Sequence, residues 1–168
     1  MRSDARVRGQ SGSACAISPE LRLDYPTPST PAVTAVMRAN RKVDTTPERR
    51  LRSELHRQGL RFRKHLPIEA NGIRVKPDVI FSAKRVAVFV DGCFWHACPE
   101  HGNQPKANSE YWSAKLSHNQ ERDAQVDEAL SSTGWLVVRV WEHVAASEAA
   151  DCVTSTLQSR TDIGAGSR

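Results

Sequence analysis

The sequence predicts an α/β domain with a central mixed β-sheet flanked by helices. Two short segments rich in β-branched and aromatic residues, "PDVIF" from Pro77 and "RVAVFVD" from Arg85, are typical of buried strands and are separated by a turn at residues 82–84. A helical pattern then runs from Ser109 to Ser132, Gly134 ends it, and "WLVVRVW" predicts a further strand. A strand, a long helix and another strand imply a crossover connection and at least one parallel pair.

The length and composition indicate one domain. The chain has 168 residues, of which 39% are hydrophobic, enough for one core but not for two comfortable ones. Residues 1–31 are rich in Ser, Gly and Pro without an apolar period, which predicts a disordered N-terminal tail. We expect the folded domain over residues 32–146, followed by a C-terminal tail, partly helical, over residues 147–168.

A well-marked helix is predicted just after Thr45. Thr45 and Glu48 have the spacing of a capping box, Pro47 suits the first turn, and Gly59 supplies a stop. The capping pair gives Glu48 a structural explanation that stands beside any role in a site.

Positive charge is concentrated around this helix. The net charge is +5, and the segment from Arg38 to Lys64 carries ten basic residues against three acidic ones. Such a cluster favours a polyanionic partner, although a solvated helix face is the alternative. No apolar run approaches the length of a membrane span and the N-terminus lacks a signal-peptide pattern, so we expect a cytoplasmic protein that does not bind membranes.

The stretch "DGCFWHACPEH" collects rare and reactive side chains. In a reducing compartment the close pair Cys93 and Cys98 points to metal binding or catalysis rather than a disulfide. Together with His101 the pair has the spacing C-x4-C-x2-H, which suits tetrahedral Zn²⁺. His143, just beyond the last predicted strand, is the candidate fourth ligand. The alternative is two buried cysteines acting as small hydrophobic residues and histidines at the surface.

Three further residues suggest hydrolytic chemistry. His96 could act as a general base, because an imidazole titrates near neutral pH. Asp78 precedes a strand and could hold a hard cation such as Mg²⁺, while Asp91 is a second candidate carboxylate. A structural histidine and a turn aspartate are the alternatives.

These motifs resemble the very-short-patch repair (Vsr) endonucleases. The resemblance covers about Met37 to Val144 and rests on "GCFWH" joined to an upstream "PD" and a downstream "GW…VWE". It implies a restriction-endonuclease-like core with a structural zinc loop, and Mg²⁺-dependent nicking of one strand beside a T:G mismatch left by deamination of 5-methylcytosine. Double-stranded DNA with that mismatch would be the partner of a monomeric protein associated with the bacterial nucleoid.

The resemblance also implies roles for individual residues. Asp78 would bind Mg²⁺ with the backbone carbonyl of Val90, His96 would help activate water, and Glu48 would reach the metal through water. An aromatic wedge would enter the mismatched stack, and basic residues would bind phosphates. These DNA-binding candidates are Phe94, Trp95, Trp112, Arg38, Arg41, Lys42 and Arg49.

Two positions depart from the best-known form of the family. That form has a histidine where this chain has Asp91, so Asp91 is expected to orient His96 or to join the metal shell. It also binds zinc through three cysteines and one histidine, whereas this chain offers two of each. A restriction-type nuclease without mismatch preference and a non-catalytic zinc-containing DNA-binding module remain alternatives.

Overall fold

The described part of the chain contains six strands and three α-helices. The computed structural model describes residues 5–8, 43–102 and 105–164, with side chains described over residues 43–102 and 105–160. In chain order the elements are β1 (Ala5–Arg8), α1 (Thr46–Arg57), β2 (Ile68–Ala70), β3 (Ile73–Val75), β4 (Val79–Phe81), a 3-10 turn (Ser82–Lys84), β5 (Val86–Asp91), α2 (Ser109–Ser132), β6 (Leu136–Trp141) and α3 (Ala146–Gly164).

The central sheet has four strands in the order β1-β6-β5-β4. Strands β5 and β6 are parallel, while β4 is antiparallel to β5 and β1 is antiparallel to β6. Helix α2 connects the parallel pair, as a parallel pairing of strands adjacent in sequence requires. The predicted mixed sheet, its flanking helices and the crossover connection are therefore confirmed.

Each face of the sheet has its own apolar layer. Helices α1 and α3 cover one face, where Leu55 and Val153 are fully buried against Val88 and Val138. Helix α2 and the β2–β3 hairpin cover the other face, where Leu130 packs in the layer that includes Ala87 and Val137. Because residues of a strand alternate between faces, these two layers leave β5 and β6 buried on both sides. No helix in the described ranges is both long and apolar enough to cross a membrane.

Helix α1 begins and ends where the sequence predicts. Thr45 is the N-cap and accepts from the backbone N–H of Glu48 at 3.5 Å. The Glu48 carboxylate accepts from the backbone N–H of Asp44 at 2.9 Å, one residue before the partner that a standard capping box would use. After the helix, Gly59 has φ +79°, a left-handed conformation that glycine adopts without strain.

The packed domain extends beyond the boundaries expected from the sequence. The predicted C-terminal tail, residues 147–168, forms most of α3, and its side chains Ala150, Val153 and Leu157 are buried in the core that contains α1. Within the predicted disordered tail, residues 1–31, the segment Ala5–Arg8 instead forms β1 on the edge of β6. The rest of that tail lies outside the described residues.

The β2–β3 hairpin was not predicted, because each strand has only three residues. Its turn has φ +47° at Asn71 and +77° at Gly72. An Asn-Gly pair with two positive φ angles is the signature of a two-residue hairpin turn, so this dipeptide was the available signal.

Candidate active site

One edge of the sheet collects the polar residues at the strand ends. The parallel strands β5 and β6 finish together, with Asp91 paired to Trp141, and antiparallel β4 begins at the same edge after Asp78. The Asp78 carboxylate accepts from the backbone N–H of Val90 at 2.8 Å. The N–H and C=O of one strand residue point to the same side, so the Val90 carbonyl faces Asp78 as well. The structure thus brings Asp78, Val90 and Asp91 together.

The electrostatic surroundings of Asp78 disfavour its charged form. Burial raises the pKa of Asp78 to about 6, and the nearby carboxylates of Glu48 and Asp91 also raise it. The hydrogen bond from Val90 and the charge of His65 act in the opposite direction without compensating. A bound cation would therefore stabilise the charged form of the Asp78 carboxylate.

Glu48 lies close enough to act on Asp78 but is also held by its own helix. It is only 4% exposed, and its carboxylate accepts from the Thr45 hydroxyl at 2.9 Å and from Arg52 at 3.3 Å. These contacts agree with the capping explanation and leave its expected role near the metal a prediction. Arg52 is buried, and its guanidinium pairs with Asp44 as well as with Glu48.

Asp44, Glu48 and His65 also have ligand atoms within 4.8 Å of one another. However, Asp44 is already paired with Arg52 and with the Lys64 ammonium, whose nitrogen lies 3.5 Å away. Because these cations occupy the surroundings of the carboxylates, this group is a salt-bridge cluster rather than a second metal site.

His96 is oriented by an aspartate of α2. Its Nδ1 contacts the carboxylate of Asp123 in a short hydrogen bond. Burial acts to raise the pKa of Asp123, but the hydrogen bond with His96 and the charge of Arg139 hold the pKa below its ordinary value. Since an ionised carboxylate only accepts hydrogen bonds, Nδ1 carries the proton and Nε2 is the atom able to accept one.

Asp123 was not identified as a site residue from the sequence. The available signal was its charge: an acid at a position of the stripe that otherwise holds Leu116, Val126 and Leu130 faces the sheet and requires a partner.

An ionic network surrounds the His96–Asp123 pair. Arg139 of β6 donates to Asp91 at 2.8 Å and to Asp127 at 2.9 Å, and its Nη2 lies 3.4 Å from an Asp123 carboxylate oxygen. Asp91, for which the sequence left two roles open, accepts hydrogen bonds from Arg139. Its Oδ1 atom lies 3.9 Å from the Nδ1 of His96. Asp123 therefore makes the closer contact with the imidazole. These five residues line a cavity of about 190 Å³.

The structure also gathers the four predicted zinc ligands. The His143 Nδ1 lies 3.0 Å from the Cys93 sulfur and 3.8 Å from the Cys98 sulfur, and the His101 Nδ1 lies 3.9 Å from the Cys98 sulfur. All four ligand atoms lie within 4.8 Å of one another. Ligand atoms around one tetrahedral zinc are roughly 3.5 Å apart, given bonds of about 2.0 to 2.3 Å. The arrangement fits one such ion.

The chemistry of this cluster also favours a cation. Burial and the neighbouring Cys98 raise the pKa of the Cys93 thiol to about 12. The backbone N–H of Cys93 donates to Glu142 at 2.7 Å, which fixes the start of the loop to the end of β6. A thiolate here is unfavourable on its own, and a bound divalent ion would stabilise it.

The aromatic residues form one cluster beside the metal loop. The ring centroids of Phe94 and Trp112 are 5.2 Å apart, and those of Phe94 and Trp95 are 5.0 Å apart. Phe94 and Trp95 are partly exposed, whereas Trp112 is 7% exposed and backs them. Asn119 of α2 donates to the backbone carbonyl of Trp95 at 2.9 Å. The cluster therefore presents Phe94 and Trp95 at its surface, with Trp112 in the packed position.

The predicted phosphate-binding surface is only partly described. Arg49 is exposed, and so are Arg50, Arg57, Arg61, Arg63 and Lys64. Arg38, Arg41 and Lys42 lie outside the described residues.

Comparisons with known proteins indicate the family of this chain. A sequence model described as DNA mismatch endonuclease Vsr matches residues 24–101, a range that holds Asp78, His96 and three of the four candidate zinc ligands. Asp123 and His143 lie outside the matched residues.

Individual relatives extend further along the chain. The type II nicking enzyme V.NaeI of Lentzea aerocolonigenes is 48% identical over 134 residues, which cover 79% of this chain and 81% of that protein. The type II nicking enzyme V.XorIIP of Xanthomonas oryzae pv. oryzae is 39% identical over 109 residues, 64% of this chain and 76% of the relative. The DNA mismatch endonuclease Vsr of Escherichia coli is 36% identical over 110 residues, 63% and 66% respectively.

Proposed function

Because the chain belongs to the Vsr family of DNA mismatch endonucleases, we propose that it nicks one strand of a DNA duplex beside a T:G mismatch, by Mg²⁺-dependent hydrolysis of a phosphodiester. The observation that carries this proposal is the position of Asp78 and His96 at the same edge of the sheet. Asp78 is a carboxylate whose charged form a bound cation would stabilise, and His96 is an imidazole oriented by Asp123. Asp91 links the two, since it acts on Asp78 electrostatically and lies 3.9 Å from the His96 Nδ1.

Asp78 and the Val90 carbonyl are the groups that would hold Mg²⁺. Both offer hard oxygen atoms, the ligand type that Mg²⁺ prefers. Burial and the nearby carboxylates of Glu48 and Asp91 raise the pKa of Asp78, so a bound cation would stabilise its charged form. When bound, the ion would polarise the phosphate and stabilise the leaving oxygen. The carboxylate of Glu48, which acts electrostatically on Asp78, would hold a water in the same shell.

His96 would take a proton from the attacking water. Asp123 occupies Nδ1 and stabilises the imidazolium that forms, so Nε2 does the accepting. The water is thereby activated without a protein nucleophile, and the product is a single nick.

The zinc site would serve the loop rather than the chemistry. Four protein ligands close the coordination sphere, which is typical of structural zinc. His96 and the aromatic residues lie between the two cysteines or next to them, so a rigid loop would position them together.

DNA recognition is assigned to two surfaces. The exposed basic residues around α1, with Arg38, Arg41 and Lys42 of the preceding segment, would bind phosphates and set the register of the duplex. Phe94 and Trp95 would enter the stack beside the mismatch, where unstacking costs less than at a correct pair. We infer that the protein acts as a monomer on chromosomal DNA in the cytoplasm.

A nicking assay on three labelled duplexes tests the proposal. The duplexes are identical except for a T:G mismatch, a T:A pair or a C:G pair, and each is incubated with Mg²⁺ or with EDTA. We expect a nick in one strand of the T:G duplex with Mg²⁺ only, and loss of at least about 10²-fold in rate for His96→Ala.

Two results would contradict it. Cleavage of both strands, or equal rates on the three duplexes, would favour a restriction-type nuclease on the same fold. Binding without any cleavage by the wild-type protein across many sequence contexts would favour a non-catalytic DNA-binding module.

A further inference from the structure

We propose that Arg139 is a positioning residue for the nicking reaction. It acts through Asp123, which it holds in the place that orients His96. The inference rests on the proposed function, because it takes His96 as the base. It concerns a residue that does not contact the reacting atoms.

The guanidinium of Arg139 divides its donors among three carboxylates. Nε donates to Asp127 at 2.9 and 3.2 Å, and Nη1 donates to Asp91 at 2.8 and 3.1 Å. Nη2 faces Asp123, with 3.4 Å to a carboxylate oxygen and 3.4 Å to the backbone carbonyl. Each guanidinium nitrogen therefore has its own acceptor residue. A planar guanidinium group is suited to such an arrangement, because its donors point in fixed and different directions.

These contacts join three elements of the fold. Arg139 lies in the middle of β6, Asp91 ends β5, and the two other aspartates are one turn apart on α2. Next to Arg139 across the parallel pair is Phe89, whose ring centroid lies 4.8 Å from the guanidinium carbon. One side chain thus links the sheet to the helix that carries Asp123.

Charge balance explains why this position requires a cation. Asp91, Asp123 and Asp127 line one small cavity, and their side chains are between 9% and 18% exposed. Within that cavity Arg139 is the permanent positive charge among the described lining residues. Without it, repulsion between the carboxylates would move Asp123 away from its present place or favour its protonation. Either change removes the acceptor that keeps the proton of His96 on Nδ1.

Lysine cannot reproduce the arrangement. An ammonium group is a compact charge and cannot present three nitrogens to three separate carboxylates. Arg139→Lys should keep the fold while leaving Asp123 less well held, so it distinguishes the geometry of the fork from its charge.

The first test uses single-turnover nicking with excess protein over the T:G duplex and saturating Mg²⁺. We expect the rate constant to fall about 10²-fold for Arg139→Gln and to an intermediate value for Arg139→Lys, within the range that a misplaced general base costs. The reaction amplitude, which reports the folded fraction, should stay near that of the wild type for Arg139→Lys. Arg74→Gln removes a charge from the exposed hairpin and should leave the rate constant unchanged.

The second test reads His96 directly and requires no activity. Histidine-labelled protein is observed by ¹⁵N NMR in Mg²⁺-free buffer, and His96→Ala identifies the signal. We expect the Nδ1–H tautomer in the wild type and a mixture of tautomers in Arg139→Gln. If Arg139→Gln does not fold, the double variant Arg139→Gln/Asp127→Asn is measured instead. That variant has one negative charge fewer in the carboxylate cluster, which reduces the repulsion left by the loss of Arg139.

The outcomes separate this inference from the proposed function. If His96→Ala nicks at the wild-type rate, the proposed base is wrong and the inference fails with it. If His96→Ala is inactive but the Arg139 variants keep the wild-type rate constant and tautomer, Arg139 is only structural. A reduced amplitude with an unchanged rate constant would lead to the same conclusion.

Discussion

Asp78 and Asp123 are partly buried aspartates of the candidate active site, yet their surroundings shift their pKa values in opposite directions. Burial and nearby carboxylates raise the pKa of Asp78 to about 6. Burial also acts on Asp123, but His96 and Arg139 overcome it and lower the pKa. The difference shows which part of the site carries its own positive charge and which part depends on a bound cation.

The cysteine cluster belongs with Asp78 in this comparison. Burial raises the pKa of Cys93, as it raises that of Asp78, and divalent metal binding would reverse the cost in both places. The His96–Asp123–Arg139 network, in contrast, is complete without a metal. Substitutions in each part of the site test this division.

Asp78→Asn should abolish most nicking, because it removes the carboxylate that is proposed to bind Mg²⁺ directly. We expect a fall of about 10³-fold or more in single-turnover rate, since a metal contributes several kcal/mol of charge stabilisation. DNA affinity, measured by fluorescence anisotropy, should change little. Asp151→Asn, on the exposed side of α3, is the matched control. Wild-type cleavage by Asp78→Asn would remove Asp78 from the metal site.

His143→Ala should lose zinc and several kcal/mol of stability, because the ion would hold the loop that joins β5 to α2. Metal analysis of the purified protein should find one Zn²⁺ per chain in the wild type and much less in the variant. His118→Ala, on α2 outside the cluster, should keep both its zinc and its melting temperature. A zinc-free wild type that melts at the same temperature with and without chelator would contradict the assignment.

Metal-free protein should show opposite pH dependences at the two aspartates. The folded state raises the pKa of Asp78 above its ordinary value of 3.8, so it binds more protons than the unfolded state between about pH 4 and pH 6. This group therefore lowers stability as the pH rises through that window. Asp123 contributes stability at neutral pH that is lost as the pH falls through its lowered folded pKa.

Thermal melts in EDTA at pH 7.5 check that sign. Asp78→Asn should raise the melting temperature and Asp123→Asn should lower it, each by a few degrees for about 1 kcal/mol. A shift of both variants in the same direction would mean that burial alone, and not the arrangement of charges, governs the two sites.

Trp95→Ala should give the smallest effect and leave both charge clusters intact. Loss of one stacking contact is worth about 1 to 3 kcal/mol, so the preference for T:G over C:G duplexes should fall by roughly tenfold or more with little change in melting temperature. Trp112→Ala, the buried neighbour, should instead lower the melting temperature and reduce cleavage of both duplexes. If Trp95→Ala keeps full selectivity, the mismatch is recognised elsewhere.

Much of the fold could be predicted because its signals are local. The cap at Thr45, the bounds of the long helix and the β-rich runs before Asp91 and after Gly134 each depend on a few neighbouring residues. The β1 strand and the core role of α3 were missed, since β1 pairs with β6 and α3 packs with α1, and both partners are distant in sequence.

The candidate site divides in the same way. The sequence alone identified the candidate site residues that lie in or next to short motifs, and the same motifs indicated the family. These residues are Asp78, Asp91, Cys93, His96 and Cys98. Asp123 and Arg139 have no motif: one is an acid in a helical stripe and the other a base within an apolar strand. Asp123 and Arg139 are 16 residues apart in the sequence, and they come within hydrogen-bond distance only because α2 packs across the sheet. The sequence thus determined which chemical groups are present, while the tertiary structure decided which charges compensate one another, because electrostatic balance depends on distances that chain order does not record.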